Sequence, residues 1–172
     1  RGRVDGHAAK KRLSQNFLHD LNVRDRIVQA GAPAAGELVL EIGPGLGFLT
    51  EALLASGANV VAVELDNDLI PRLQHKFAAQ ISAGQLTLIH GDALTVDLES
   101  LAPTSGSWRV IANIPYHVTS PLLQRLLLLA VPPARIVLLV QLEVAERVAA
   151  APGDWSYLTA FVRARVEATI VR

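Results

Sequence analysis

The stretch that decides the fold is residues 37–47, ELVLEIGPGLG. Its first six residues are mostly apolar and predict a buried strand, which runs directly into a turn with three glycines. Residues 48–56 then have the apolar spacing of a helix, and Gly57 closes it. A strand, a glycine-rich turn and a helix in this order predict a ligand site, because the backbone can approach the ligand and the helix start offers free amides.

Strand and helix patterns alternate along the rest of the chain. An alternation of this kind predicts an α/β fold with a doubly wound, mostly parallel sheet, in which ligands bind at the carboxyl ends of the strands. The further predicted strands are residues 59–64, 86–90, 108–113, 135–141 and 166–171; the predicted helices are 21–30, 68–79, 121–129, 143–150 and 157–163, and 98–107 is an irregular connection.

Length and composition narrow the class of protein. The chain has 172 residues, 51% of them hydrophobic, which suits one domain with a sizeable core. Cysteine is absent, which excludes disulfides and thiolate sites, and no two of the five histidines have metal-ligand spacing, so we expect no metal. The early residues are charged and no apolar run is long enough to span a bilayer. We therefore expect a cytoplasmic protein without membrane contact.

Charge is balanced overall but unevenly placed. The 16 basic and 16 acidic residues cancel, so net charge gives no reason to expect nucleic acid. The first twelve residues nevertheless form a basic arm that could contact phosphates. Arginines further along the chain could do the same or could form a solvated surface: Arg125, Arg135, Arg147, Arg163 and Arg165.

The glycine turn favours a cofactor without phosphates. Its spacing is G-x-G-x-G rather than the G-x-G-x-x-G of dinucleotide sites, and Pro44 removes one amide donor. S-adenosylmethionine is such a cofactor. Glu41 could face its amino-acid end or simply cap the turn, and both interpretations stay open.

Two later strand ends carry acidic residues. Glu64 closes the second strand about twenty residues after the loop, where a carboxylate can accept hydrogen bonds from ribose hydroxyls. Asp92 follows the third strand, where it could accept from an adenine amino group or could form a turn. Because the strand ends share one edge of the sheet, a cofactor crevice is the favoured interpretation.

The fourth strand ends in Asn113, Ile114, Pro115 and Tyr116. An exocyclic adenine amine is a poor nucleophile, because its lone pair is delocalised into the ring. The Asn113 side-chain oxygen and the Ile114 carbonyl could accept its two hydrogens and aim the lone pair at a sulfonium methyl, while Tyr116 stacks on the base. A base inside a duplex would have to be flipped out to reach this corner.

Six separated motifs together resemble the ribosomal RNA adenine dimethyltransferase family, and its KsgA-like branch most closely. They are residues 15–18 (QNFL), 41–47 (EIGPGLG), 63–66 (VELD), 91–93 (GDA), 113–116 (NIPY) and 140–147 (VQLEVAER). The resemblance implies a Rossmann-like class I methyltransferase domain over residues 10–172, preceded by a basic arm, residues 1–9. We expect the family's C-terminal helical domain to be absent from this chain.

The resemblance also implies a function: dimethylation of adenine amines in ribosomal RNA, with S-adenosylmethionine, by a monomer acting on a partly assembled small ribosomal subunit. The catalytic residues that it implies are Asn113, Ile114, Pro115 and Tyr116. The cofactor-binding residues that it implies are Gln15, Asn16 and Leu18, from a segment that folds over the cofactor in the family, with Glu41, Gly43, Gly45, Glu64, Leu65, Asp92, Ala93 and Asn113.

Departures from the family pattern leave alternatives open. Ile114 stands where the KsgA-like branch more often has Leu, and Ile is familiar from relatives that methylate large-subunit RNA and confer macrolide resistance. Leu142 replaces the usual Lys in residues 140–147. Three alternatives stay open. The chain could methylate large-subunit RNA, it could be a non-catalytic RNA-binding assembly module, or it could methylate a protein amide or a small molecule.

Overall fold

The computed structural model describes residues 20–104, 106–114 and 116–171, with the backbone alone for Tyr116. The basic arm, the predicted contacts Gln15, Asn16 and Leu18, and Pro115 lie outside the described residues. No helix in the described ranges is long and apolar enough to cross a bilayer.

One sheet of five parallel strands forms the centre of the domain. Its spatial order is β3-β2-β1-β4-β5, so the chain starts in the middle and winds outward in both directions. This confirms the predicted doubly wound α/β class. The strands are β1 (Leu38–Ile42), β2 (Asn59–Glu64), β3 (Leu86–His90), β4 (Trp108–Asn113) and β5 (Arg135–Leu139).

Helices cover both faces of the sheet. Alternate residues of each central strand point to opposite faces, so Val39 packs into one core cluster and Leu40 into another. The first cluster lies under α1, α2 and α3, and the second under α5 and α6. The helices are α1 (Leu21–Gly31), α2 (Phe48–Ala55), α3 (Ile70–Lys76), α4 (Ala78–Ser82), α5 (Leu98–Leu101), α6 (Tyr116–Leu127), α7 (Leu142–Val148) and α8 (Tyr157–Arg163).

Two helix predictions and one predicted irregular connection were wrong in detail. The helix expected over residues 68–79 is two helices, because Phe77 leaves helical geometry and buries its ring under the glycine turn. The helix expected from Pro121 begins at Tyr116; the amide that Pro121 lacks is outweighed by burial of neighbouring leucines such as Leu122 and Leu126. The connection expected over 98–107 contains α5, capped by the Asp97 side chain.

The strand expected over residues 166–171 is also wrong. This segment follows α8 as irregular chain, and its apolar residues Val166, Ile170 and Val171 are exposed. A strand needs a neighbour with which its backbone can pair, and the described residues provide none for this segment.

A polar network ties the amino ends of β1 and β4 together. The Glu37 carboxylate accepts hydrogen bonds from Arg109 Nε (2.6 Å), Ser107 Oγ (2.7 Å) and the Ala34 N–H (2.9 Å). Arg109 also donates to the Gly31 carbonyl at the end of α1 (2.8 Å). Burial alone would raise the pKa of Glu37, but these donors outweigh it and lower the pKa from 4.5 to about 2.

We expect Glu37→Gln to change how stability depends on pH. Because the folded-state pKa lies below the unfolded one, the carboxylate stabilises the fold fully above about pH 4.5, and this contribution disappears as pH falls towards 2. The variant should lose about 2 kcal/mol near neutral pH and almost nothing near pH 2. Urea unfolding of both proteins across this range measures the difference; an equal loss at every pH would contradict the assignment.

Candidate functional site

The register of the sheet brings the predicted strand-end residues to one edge. Ile42 pairs with Val63 on one side and with Ala112 on the other. The next residues along the three strands, Gly43, Glu64 and Asn113, therefore lie at the same level. The carboxyl ends of β1, β2 and β4 thus meet at one edge of the sheet, next to the end of β3, where a ligand crevice is expected in this fold.

The glycine turn has a backbone that only glycine adopts without strain. Gly43, Gly45 and Gly47 have φ values of +73°, +60° and +78°. The amides of these three glycines are engaged within the protein: Gly43 donates to the Val63 carbonyl (2.9 Å), Gly45 to Glu64 Oε2 (3.0 Å) and Gly47 to the Pro44 carbonyl (2.9 Å). Pro44 has no N–H, so the turn lacks the set of free amides that binds phosphates.

The three glycines face different surroundings. A Cβ on Gly43 would lie 3.1 Å from the Asn113 carbonyl oxygen, so the turn and the predicted catalytic corner are in contact. A Cβ on Gly47 would collide with the Phe77 ring at 2.4 Å, which makes Gly47 a packing requirement. Nothing in the described residues lies within 4 Å of such an atom on Gly45. The turn is therefore open at Gly45.

Glu64 fastens two loops to each other. Its carboxylate accepts from the Gly45 N–H through Oε2 and from the Asp66 N–H through Oε1 (2.8 Å), and the residue is only 6% exposed. The prediction placed Glu64 at the crevice, which agrees with its position, but its contact with Gly45 could not be predicted. Leu65 beside it is 66% exposed and offers an apolar surface at the rim.

Glu41 is buried without a full set of partners. It is 1% exposed, and its Oε2 atom and the Thr50 hydroxyl of α2 have no hydrogen-bond partner among the described residues. Burial raises the pKa of Glu41 from 4.5 to about 7; the nearby Thr50 hydroxyl opposes this rise, and the negative charge of Glu64 adds to it. The Glu41 carboxyl is therefore buried beneath the glycine turn, close enough to Glu64 for the two groups to interact.

The β3–α5 loop, residues 91–97, presents a donor next to an acceptor. Asp92 Oδ1 accepts from the Leu94 N–H (2.8 Å), and the Asp92 carbonyl accepts from the Thr95 and Val96 amides (2.9 and 2.8 Å). Both interpretations of Asp92 thus remain compatible with the geometry, because it forms the turn and keeps Oδ2 without a partner in the described part of the chain. The adjacent Ala93 N–H is equally unpaired among these residues.

The predicted catalytic corner is half inside the described residues. Asn113 is half-buried at the end of β4, Ile114 is 7% exposed, and α6 begins at Tyr116. Pro115 and the Tyr116 side chain are outside the described part. Thr119, one turn into α6, is 1% exposed, and its hydroxyl has no partner among the described residues.

Sequence reasoning missed two buried hydroxyls of this site, on Thr50 and Thr119. The only sequence signal was position, since each threonine lies near the start of the helix that follows a predicted site motif; the polar neighbours Glu51 and Ser120 obscure it. It also missed Lys76, whose Nζ lies 3.3 Å from the Leu46 carbonyl and 3.1 Å from Glu51. No sequence spacing indicates that contact, which joins α3 to the glycine turn.

Four of the five arginines considered for phosphate contact donate hydrogen bonds to backbone carbonyls. Arg135 donates to Ala30 (2.9 Å), Arg163 to Ala149 (2.8 Å) and Arg165 to Phe161 (3.1 Å). Arg125 donates to two carbonyls of the β3–α5 loop. Arg125 and Arg163 are half-buried by these contacts, so phosphate contact stays a prediction chiefly for the exposed Arg135, Arg147 and Arg165.

Because the pKa of Glu41 is raised, its contribution to the free energy of unfolding should change with pH in the opposite direction to that of Glu37. Between about pH 4.5 and 7 the folded protein holds a proton that the unfolded chain has lost, so stability falls as pH rises. We expect Glu41→Gln to remove this fall, which is on the order of 3 kcal/mol. Unfolding of the ligand-free proteins at about pH 4.5 and 8 measures it; a variant with an unchanged slope would contradict the buried, protonated state.

A doubly wound parallel sheet with this glycine turn and strand-end crevice defines a Rossmann-like domain of the class I methyltransferases. The chain belongs to the ribosomal RNA adenine dimethylase family, whose model matches residues 6–172. This confirms the predicted resemblance.

Known relatives agree with this assignment. Ribosomal RNA small subunit methyltransferase A of Pseudomonas putida is 47% identical over 159 residues, which cover 91% of this chain and 58% of that protein. The chain thus spans little more than half the length of that relative. Among solved structures, the 23S rRNA methyltransferase ErmE superposes with a TM-score of 0.70 at 28% identity, covering 86% of this chain and 57% of that one. A dimethyladenosine transferase from Plasmodium falciparum superposes with 0.68 at 28% identity, covering 84% and 50%.

Proposed function

We propose that this chain transfers methyl groups from S-adenosylmethionine to adenine amines of ribosomal RNA, and that it dimethylates small-subunit RNA during ribosome maturation. The observation that carries the proposal is the contact between the catalytic corner and the glycine turn, where a Cβ on Gly43 would lie 3.1 Å from the Asn113 carbonyl. A methyl donor above the turn and an amine held at Asn113 would then be neighbours, as direct transfer requires.

The free groups of the crevice fit S-adenosylmethionine. The cofactor carries an ammonium and a sulfonium, and the Glu64 carboxylate suits positive charge, whereas it would repel the phosphates of a dinucleotide. Glu41 is buried near Glu64 with a raised pKa, and a cation beside it would favour loss of its proton. Asp92 Oδ2 and the Ala93 N–H form the acceptor and donor that match the amino edge of adenine. Gly43, Gly45 and Leu65 would line the cofactor, and Gln15, Asn16 and Leu18 would cover it.

The corner supplies positioning rather than acid-base chemistry. Bound S-adenosylmethionine would provide an electrophilic methyl group. Asn113 and the Ile114 carbonyl would accept the hydrogens of the target amine and orient its lone pair, Pro115 would hold that carbonyl in place, and Tyr116 would stack on the base. The target adenine must be unpaired or flipped to reach them.

Similarity favours the small subunit as substrate. The P. putida relative is named for small-subunit methylation at 47% identity, whereas ErmE is named for 23S RNA at 28%. Ile114 remains the residue that favours the large-subunit alternative. We further propose that the chain acts in the cytoplasm, as a monomer, on a partly assembled small ribosomal subunit.

One experiment separates these possibilities. The protein is incubated with labelled S-adenosylmethionine and with undermethylated small- or large-subunit particles, and the labelled nucleotide is then mapped. We expect dimethylated adenine in small-subunit RNA. Label in large-subunit RNA would support the alternative, and cofactor binding without transfer to either particle would indicate a non-catalytic assembly module.

A further inference from the structure

Arg125 of α6 reaches across to the loop that follows β3. Its Nη1 donates to the Ala93 carbonyl (2.6 Å) and its Nη2 to the Val96 carbonyl (2.7 Å). One planar guanidinium thus bridges both ends of a four-residue turn. Among the described residues no carboxylate lies within ion-pair distance of Arg125, so its half-buried charge is balanced there by the two carbonyl dipoles.

The bridged turn is the one that displays Asp92 and Ala93. Within the turn, backbone hydrogen bonds to the Asp92 carbonyl set its local shape. They do not set its orientation relative to the sheet. Ala93 packs in the same core cluster as Leu122 and Leu126, and such apolar contacts are not directional. The two charged hydrogen bonds of Arg125 are directional. One fixes the Ala93–Leu94 peptide, which adjoins the peptide that carries the Ala93 N–H, and the other fixes the Val96–Asp97 peptide at the far end of the turn.

We propose that Arg125 is a positioning residue for cofactor recognition: it holds residues 92–96 so that Asp92 Oδ2 and the Ala93 N–H meet the adenine edge together. The inference rests on the proposed function, because it assumes that this loop binds the cofactor's base. Since α6 begins at Tyr116, the same helix also connects two sites: the loop that binds the adenine of the cofactor, and the catalytic corner that binds the target base.

The test compares two ligands on the 172-residue chain. S-adenosylhomocysteine carries adenine, and S-inosylhomocysteine carries hypoxanthine, which replaces the amine by a carbonyl and adds a hydrogen to the ring nitrogen beside it. Both changes oppose the Asp92 and Ala93 groups, so the wild-type protein should bind S-adenosylhomocysteine about 100-fold more tightly. In Arg125→Ala this ratio should fall below about tenfold, with weaker binding of S-adenosylhomocysteine.

Arg163→Ala is the matched control. Arg163 is also a half-buried helical arginine that donates to a carbonyl, that of Ala149, but it does not contact the β3–α5 loop. It should keep the wild-type ratio of the two dissociation constants even if it lowers stability. Because both ligands bind the same folded molecules, the ratio does not depend on the folded fraction, and a merely structural role of Arg125 would leave it unchanged.

The outcomes are distinct. A wild-type ratio in Arg125→Ala would overturn the inference while leaving the cofactor assignment intact. A wild-type protein that binds neither ligand, or both equally, would instead overturn the assignment of this loop in the proposed function. If Arg125→Ala does not fold, Arg125→Gln serves the same purpose: its amide can reach one carbonyl only, so an intermediate ratio supports the inference and a wild-type ratio contradicts it.

Discussion

Replacing Asn113 by Ala should reduce methyl transfer by about 10³-fold or more while weakening cofactor binding by less than about tenfold. The side-chain oxygen of Asn113 is one of two acceptors proposed for the target amine. Without it the lone pair stays delocalised into the ring and is not aimed at the methyl group. The cofactor keeps its other contacts, so its affinity changes little.

Asn59→Ala is the control for this experiment. Asn59 begins β2 at the opposite edge of the sheet, where its side chain donates to the Gly36 carbonyl (3.1 Å). The Asn59→Ala variant should be less stable by about 1 kcal/mol and should transfer methyl groups at the unchanged rate. Single-turnover transfer to small-subunit particles gives the rate, and calorimetry gives the affinity. Near-normal transfer by Asn113→Ala would show that the side chain has no catalytic role.

Gly43→Val should abolish measurable binding of S-adenosylmethionine. The valine side chain would fill space that glycine leaves for the ligand, and the geometry adds a second cause. At a φ of +73° a β-branched residue is strained, and its Cβ would press on the Asn113 carbonyl 3.1 Å away. The glycine turn, the catalytic corner or both must shift, and either movement changes the crevice.

Gly84→Val separates these causes. Gly84 has the same φ of +73° but nothing within 4 Å of the added atom among the described residues, and it lies between α4 and β3 at the far edge. It should therefore show the cost of backbone strain, on the order of 1 to 2 kcal/mol, without loss of binding. Calorimetry and thermal unfolding of both variants make the comparison. Tight binding by a folded Gly43→Val protein would contradict the assignment of the crevice.

Most of the fold could be predicted, because local pattern and tertiary packing agree along β1 to β5. The failures occurred where packing overrode pattern. Phe77 interrupts a helical pattern because its ring fills the space under Gly47, and α6 extends past Pro121 because its leucines are buried. Residues 166–171 have the apolar content of a strand but no partner in the described part of the chain.

The candidate site could be predicted as a set of residues but not as a network. The positions of Glu41, Glu64, Asp92 and Asn113 at strand ends follow from the order of the strands. The hydrogen bond between Glu64 and Gly45 and the two hydrogen bonds from Arg125 to Ala93 and Val96 join residues far apart in sequence. No spacing encodes such contacts.

By itself, the sequence determined the class of fold, the family and the edge of the sheet at which the candidate site residues meet. These depend on periodicity and on short motifs, which are local properties of the chain. Only the tertiary structure decided that Glu41 is buried with a pKa near 7, that the amides of the turn's three glycines are engaged within the protein, and that Arg125 serves the β3–α5 loop rather than the surface. Burial, charge environment and hydrogen-bond partners are set by residues from different elements, so they exist only once the sheet and its helices have packed together.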